Sequence, residues 1–501
     1  MGMRTGTDYV ASLRDGRTVY LDGARVDDVT VHPAFKNQIS RIAQMYDLAR
    51  QPDQAHRTTV DPATGERYQN MWLLPRGAAD LEKRREAHQF WAECSYGLMG
   101  RTPDHVASVL TGFAGGRDVF DRAGKNYGDN VIRFYEKARR EDLYAAYVII
   151  PPQIDRSKSA AGQPEPFLYT GVVGERDDGM VVRGASMIGT SAIMADYLFV
   201  SYIVPLQKGD EDYAISFVVP IGTPGVKLYP RRPYSAIANS VFDYPLSSRL
   251  DETDSLVVFD DVLVPWENVF VYKDVGLVAA QFQETGAHLL ANFQALARFA
   301  VKMQFAAGLA VKLVELHNIA GLPPVQAQLG GGIATLCSVI ESLVLSAVSQ
   351  PSMRGGFARP SPQFVYTGMC LQRQWIVDIM RQLRELAGGS FLSVPSSNQI
   401  FANSLTAADA ERYYQSFGTS AEDRVKFLKL MWDFVGTEFA GRQMQYEMFY
   451  SAAQHIADTR VYKVYDWRPG RALVDECLSE YSRDGEVSPI ISERRPQLAR
   501  T

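Results

Sequence analysis

Few of the usual local signatures of chemistry occur in this 501-residue chain. Its four cysteines, Cys94, Cys337, Cys370 and Cys477, lie far apart and form no CxxC pair. That spacing argues against a local zinc site and fits a reducing cytoplasm. Seven scattered histidines form no HExxH, so no metal is implied. There is no P-loop, no GxSxG and no kinase set. "LGGGIATL" lacks the third glycine of GxGxxG and any preceding strand, so it reads as a helix start. No uninterrupted apolar run approaches the ~18 residues of a membrane span, and "MGMRTGTDYV" lacks a signal-peptide core. The net charge of −5 gives no sign of a nucleic-acid partner.

What is present divides into regions. Residues 1–150 space apolar residues by three and four, as in "HPAFKNQISRIAQMYDLAR" and "GDNVIRFYEKARREDLY", which predicts a helical domain. From 151 to 274 the pattern turns to β-branched and aromatic runs. "LYTGVVGERDDGMVVRGA" predicts a hairpin turning at Asp178-Gly179, and the region is expected to form a small β-barrel. Residues 275–460 return to helical spacing. Four long segments there predict a four-helix bundle, the last running unbroken through "SAEDRVKFLKLMWDFVGTEFAGRQMQYEMFYSAAQHI". A more polar tail, 461–501, follows. This α+β, mostly α order of helices, sheet and bundle has the outline of the acyl-CoA dehydrogenase architecture, which by itself does not settle function.

Four stretches carry candidate chemistry. In "GLMGRTPDHVASVL" helix grammar accounts for Gly100 as a left-handed cap, Thr102 as an N-cap, Pro103 as the first helical residue and Asp104 at the positive dipole end. Arg101 has no place in that grammar. In "VIIPPQIDRSK", Gln153, Asp155 and Arg156 follow two prolines, either as a domain junction or as an amide and guanidinium for a heterocycle or phosphate. In "GASMIGTSAIMADYLFV", Thr190 and Ser191 can meet a flat ligand or bond their own backbone. In "QETGAHLLANFQALARFA", His288 stands one turn from Glu284 and Asn292, able to serve as acid or base or to be a plain helix histidine.

Together "GRTPDH", "PPQIDR", "GTSA", "ETGAH" and "GTEFAGRQMQYEMFY", in this order over nearly the whole chain, resemble the 4-hydroxyphenylacetate 3-monooxygenase family. The likeness is strongest to its chlorophenol and nitrophenol branch. The resemblance implies the oxygenase component of a two-component aromatic monooxygenase. It would use FAD as FADH2, delivered by a separate NAD(P)H-dependent flavin reductase, and O2, through a flavin C4a-hydroperoxide. It implies a phenolic or related small aromatic substrate, a cytoplasmic homotetramer, and neither nucleic acid nor membrane as partner. Carried over by position, Gln153, Ile154, Asp155 and Arg156 form the flavin loop. Thr190 with Ser191 and the stretch Phe449, Tyr450, Ser451 and Ala452 add cofactor contacts. Arg101 and His288 become catalytic, with His105, Tyr147 and Phe439 beside the substrate ring. Two departures stand out: Tyr147 replaces a histidine, and His105 a tyrosine, of the hydroxyphenylacetate branch. A heteroaromatic or N-hydroxylase on the same fold and an acyl-CoA dehydrogenase-like flavoprotein are the alternatives. A hydroxybutyryl-CoA dehydratase type would need an iron–sulfur cluster, toward which Cys94 alone could contribute.

Overall fold

One helix, Ala287–Leu316, organises the molecule. Its first half carries apolar residues on every face, the pattern of a helix covered all round, and residues 287–299 are all buried, His288, Asn292, Gln294 and Arg298 included. Helices Ala78–Glu93 and Pro103–Gly115 cover one side; Thr335–Ser349 and Pro362–Ala387 cover the other. The computed structural model describes residues 3–124, 126–481, 483 and 485. Most of the tail beyond 481 therefore lies outside the described residues.

The pairing with Pro103–Gly115 is antiparallel and close. A Cβ on Gly112 would lie 2.3 Å from the Ala287 Cα. Two backbones can meet at that distance only where one side chain is absent. The contact sets the register, and His105 then stands level with Gln294.

The central strands form two open sheets, not the barrel expected from the sequence. The larger runs Ala24–Val26, Thr18–Leu21, Val226–Pro230, Ser255–Pro265, Gly179–Ser186, Gly171–Arg176. The smaller runs Val269–Val271, Ser216–Pro220, Tyr197–Val200, Ala145–Val148. A barrel closes only when edge strands pair with each other. Here one edge of the smaller sheet, Ala145–Val148, packs against helix Pro103–Gly115, and one edge of the larger, Gly171–Arg176, lies against the turn Glu211–Tyr213. Three of these strands, Thr18–Leu21, Ala24–Val26 and Ala145–Val148, come from the stretch that reads as helical. Thr18–Leu21 pairs in parallel with Val226–Pro230 (Thr18 opposite Lys227), and Ala145–Val148 in parallel with Tyr197–Val200 (Ala145 opposite Tyr197). The hairpin turn is shifted by one residue: Arg176 pairs with Gly179 across Asp177-Asp178.

Three long helices of the bundle match the pattern, but the fourth segment is broken. Ala421–Val435 ends at Gly436, and Thr437 caps a new helix, Glu438–Phe449, by accepting from the Ala440 N–H. Asp433 reinforces the break, because its carboxylate accepts the Leu246 and Ser247 N–H groups at 2.8 Å each. "LGGGIATL" lies within a helix, not at its start. Pro323 and Pro324 open that helix and residues 328–334 form a π-helical turn in it. By length and composition Pro323–Ser349 would suffice to cross a membrane, which run length alone did not indicate because small residues interrupt the run. It packs as a bundle helix, with only a third of its most apolar window buried.

Candidate active site

The segment 94–103 takes a course that helix grammar only partly predicts. Tyr96 and Gly97, with φ of 56° and 71°, make the left-handed turn assigned above to Gly100. Gly100 serves another purpose: a Cβ there would lie 2.3 Å from the Tyr446 hydroxyl, so its absence admits that ring. Thr102 occupies the N-cap position, but its hydroxyl donates to Asp104 Oδ1 at 2.6 Å instead of capping the backbone. Pro103 opens the helix as expected.

Arg101 is pinned by its backbone, whose N–H donates to Glu252 and whose carbonyl accepts the Tyr144 hydroxyl. Its half-buried guanidinium has no carboxylate within ion-pair reach among the described residues. Instead it lies 5.2 Å from the Tyr446 ring centre, 5.5 Å from Tyr450 and 5.9 Å from Tyr147. Tyr446 and Tyr450 stack at 5.3 Å. Such cation–π contacts hold a guanidinium without neutralising it.

Beneath these rings is a buried charge network that motif reading did not find. Glu447 receives Arg298 through two bonds of 2.6 and 2.7 Å, Lys302 at 2.8 Å and Gln372 at 2.5 Å. Gln372 in turn accepts the Tyr450 hydroxyl at 2.7 Å. Burial overcomes the Glu447 attraction and brings Lys302 down to about 8. The two cations hold Glu447 down to about 2 against its own burial. With both cations charged, the cluster carries one positive charge in excess. A signal existed: Arg298 and Lys302 stand one turn apart in the apolar stretch Ala295–Met303, and buried charges need a partner. Arg442 is neutralised differently, by Glu252 and Asp254.

Arg101 NH1 lies 3.4 Å from His105 Nδ1, and the His105 ring meets Tyr147 edge-on at 5.3 Å. Burial, with Arg101 beside it, pushes His105 well below the usual histidine range. His105 Nε2, the Tyr446 hydroxyl and the Ser451 hydroxyl are buried with no hydrogen-bond partner among the described residues.

His288 lies elsewhere on Ala287–Leu316, six residues or ~9 Å along the axis from the level of Gln294. Its expected neighbour Glu284 is not there. A break at Gly286 (φ 102°) separates them, and Glu284 forms an exposed pair with Arg122. Asn292 does reach it. The Asn292 amide donates to the residue-288 carbonyl at 2.6 Å, so its NH2 also faces His288 Nδ1 at 3.3 Å, where the Tyr366 hydroxyl stands at 3.2 Å. Nδ1 is thereby an acceptor and Nε2 carries the hydrogen. Burial, and then Arg460, lower this histidine to about 3, so it is neutral.

Other sequence-predicted residues are placed as follows. Gln153, Ile154 and Arg156 project from an exposed loop following the strand that carries Tyr147, with no side-chain hydrogen bonds among the described residues. Asp155 accepts the Ser157 N–H and hydroxyl and pairs with Lys158 at 3.7 Å, while Gln163 holds the loop backbone at 2.9 Å. The Thr190 hydroxyl donates to Asp254 at 2.6 Å. Ser191, left-handed at φ 66°, bonds through its N–H to the Glu252 carbonyl, the residue that also holds Arg101. Phe449 is 39% exposed at the helix end, and Ala452 is left-handed, its carbonyl accepting from Arg373. Phe439 is brought to Tyr234 (6.3 Å), two turns before Tyr446 on its helix.

Arg101 without a carboxylate and the orphaned hydroxyls of Tyr446 and Ser451 suit a flat ligand rich in acceptors and negative charge, and the exposed 153–156 loop carries a further amide and guanidinium without side-chain partners among the described residues. FAD is such a ligand. Helices, two sheets and a bundle around these groups define the class: an acyl-CoA dehydrogenase-like flavoprotein fold. Within it the chain belongs to the 4-hydroxyphenylacetate 3-hydroxylase family, whose N-terminal profile matches residues 5–271 and C-terminal profile residues 278–479. The oxygenase component of 4-nitrophenol 2-monooxygenase from a Rhodococcus species is 35% identical, covering 97% of this chain and 94% of the relative. The oxygenase component of 4-hydroxyphenylacetate 3-monooxygenase from Escherichia coli is 32% identical, covering 97% and 94%. A crystal structure of such a component complexed with FAD and 4-hydroxyphenylacetate superposes with TM-score 0.89 at 30% identity, over 95% of this chain and 98% of that one. An archaeal 4-hydroxybutyryl-CoA dehydratase from N. maritimus shares the fold (TM-score 0.86) at 18% identity.

Proposed function

We infer that this chain is the oxygenase component of a two-component monooxygenase. It hydroxylates a phenol with O2 and FADH2, the latter delivered by a separate NAD(P)H-dependent flavin reductase. The observation carrying this reading is the half-buried, unpaired Arg101 guanidinium against Tyr446 and Tyr450. Bound FADH2 supplies the two electrons with which O2 is activated for transfer to the ring. The chain's own residues do the rest. The loop Gln153–Arg156, the pair Thr190–Ser191 and the stretch Phe449–Ala452 hold the flavin, and Arg101 stabilises negative charge in a site of low dielectric. Buried aromatic walls exclude water, which would otherwise divert the oxidant to peroxide. His288, fixed as an Nε2–H donor, orients an oxygen of the bound ligands.

The relatives' names point to a common substrate element. They comprise a 4-nitrophenol, a 4-hydroxyphenylacetate and a 3-chloro-4-hydroxyphenyl propanoyl group carried on a protein. A phenol substituted opposite its hydroxyl is the shared class. Oxygen uptake by chain plus FADH2 with a panel of such phenols is expected to yield hydroxylated product. Peroxide alone from every phenol would reject the reading. Arg156→Ala is expected to weaken FADH2 binding about tenfold, the worth of one charge-assisted hydrogen bond. Titration at wild-type affinity would remove the loop from the flavin site.

The oligomer in this reading is a homotetramer. Pro323–Ser349 leaves Val339 and Leu345 exposed, and Arg468–Ser479 buries no residue while showing Leu473, Val474 and Leu478 to solvent. Apolar surface of this kind on successive elements favours association. Light scattering is expected to give the mass of four chains; a single-chain mass at micromolar concentration would exclude it.

A further inference from the structure

Among the described residues, three carboxylates of the segment 251–254 meet two guanidiniums. Arg231 bonds Asp251 at 2.5 Å and Asp254 at 3.0 Å. Arg442, from the bundle helix Glu438–Phe449, bonds Asp254 at 2.6 and 3.0 Å and Glu252 at 3.1 Å. Asp251 and Asp254 suffice to balance the two arginines. Glu252, whose side chain is fully buried, is the carboxylate in excess. Burying an ion beyond what its partners neutralise is costly, so stability alone would not select it. The backbone adds a second cost. Thr253 is left-handed at φ 42°, a conformation that β-branched residues rarely adopt. Such strain persists only where the surroundings fix it, and it gathers at functional sites. Asp251 fixes it here by accepting the Thr253 N–H at 3.2 Å, and Arg442 by holding the carboxylates on either side.

What the segment holds accounts for both costs. The second Glu252 oxygen, Oε1, accepts the Arg101 N–H. The Glu252 carbonyl accepts the Ser191 N–H at 2.9 Å, and Asp254 accepts the Thr190 hydroxyl at 2.6 Å. Arg101 from the N-terminal helices, Thr190 and Ser191 from the sheets and Arg442 from the bundle therefore all meet on residues 252 to 254. Only a carboxylate serves Arg101 and Arg442 together, because both are donors and each needs an accepting oxygen. An amide at this position would turn its NH2 toward one of them.

We propose that Glu252 is a positioning residue that sets Arg101 relative to Thr190 and Ser191. The inference rests on the monooxygenase reading for what Arg101 and that pair bind. Glu252 touches neither substrate nor flavin in this role. It acts through the Arg101 backbone, so that the charge carried by Arg101 and the cofactor contacts of Thr190 and Ser191 share one frame. Small errors matter in such a frame, since misplacing a positioned group by about 1 Å can slow a reaction ~100-fold.

The test is Glu252→Gln in the full chain, which leaves Arg231 and Arg442 balanced by Asp251 and Asp254 and keeps the backbone bond to Ser191. Amide hydrogen exchange without flavin is expected to rise at least about tenfold in peptides covering residues 99–102, with helix Pro103–Gly115 and Tm unchanged. Glu252→Asp, one methylene short of spanning both donors, is expected to show the same local rise. FADH2 affinity is expected to stay at the wild-type value while kcat/KM for a phenol falls at least about tenfold. In an Arg101→Met background Glu252→Gln is expected to add nothing, because Glu252 acts through Arg101. Unchanged exchange at 99–102 overturns the proposal, as does a loss that adds to that of Arg101→Met. Exchange raised throughout the fold in both variants would make Glu252 a structural residue and overturn it too. Failure of the monooxygenase reading would show separately, as absence of hydroxylated product from every phenol with the wild type, and exchange would then decide on Glu252.

Discussion

Replacing Arg101 by methionine is expected to lower kcat/KM for hydroxylation at least about a hundredfold, or ~2.7 kcal/mol of transition-state stabilisation, while leaving Tm essentially unchanged. The two halves of this expectation have one cause. Arginines that support a fold are paired, as Arg298 is with Glu447 and Arg442 with Asp254. Arg101 has ring faces, the Gly100 carbonyl and His105 Nδ1 around it and no carboxylate among the described residues, and methionine can fill most of that space. Its charge is therefore available to an anion arriving from outside, in a site where little water screens it. Lysine should recover only part of the loss, because a compact ammonium lacks the planar face that lies along Tyr446. Product formed per FADH2 in single turnovers, beside thermal melts, checks both halves. Wild-type product yield would end the catalytic assignment, and a large drop in Tm would make the residue structural.

The second large effect concerns stability. Glu447→Gln is expected to cost about 3–5 kcal/mol, since Arg298 and Lys302 would remain buried with no counter-charge. The deficit has a direction in pH. In the variant the simplest relief is loss of the Lys302 proton, and that becomes easier as pH rises toward the ordinary lysine value of 10.5. The gap in Tm between variant and wild type should narrow between pH 6 and pH 8.5. In the wild type Glu447 is lowered from its ordinary 4.5 to about 2, so its contribution is complete above 4.5 and is lost as pH falls through that window. A deficit that does not change with pH would show that Lys302 does not take up the charge imbalance.

How much was legible in the sequence varies with the range of the interaction. Pro103 as a helix opener and the hairpin near Asp178 follow from turn chemistry and stand in the fold within a residue of the expected place; the three long bundle helices follow from periodicity, with ends that differ by several residues. Arg101 was legible by a different route, as a residue that local grammar could not use. The broken fourth helix was less so, because Gly436-Thr437 is a weak stop until Asp433 is captured by the backbone of residues 246 and 247. Parallel strands such as Thr18–Leu21 and Ala145–Val148 could not be assigned from spacing alone, since their partners lie some 50 to 200 residues away.

The chain's order of helices, strands and bundle, and the motifs that tie it to its family, were determined by the sequence itself, because each is written in residues a few positions apart. The tertiary structure decided that the sheets stay open, that Glu284 is not beside His288 and that a buried Glu447 neutralises one of two cations. It also decided which nitrogen of His288 bears the hydrogen. These depend on groups brought together from distant segments, where a carboxylate or an amide turned one way determines what its neighbour can donate or accept.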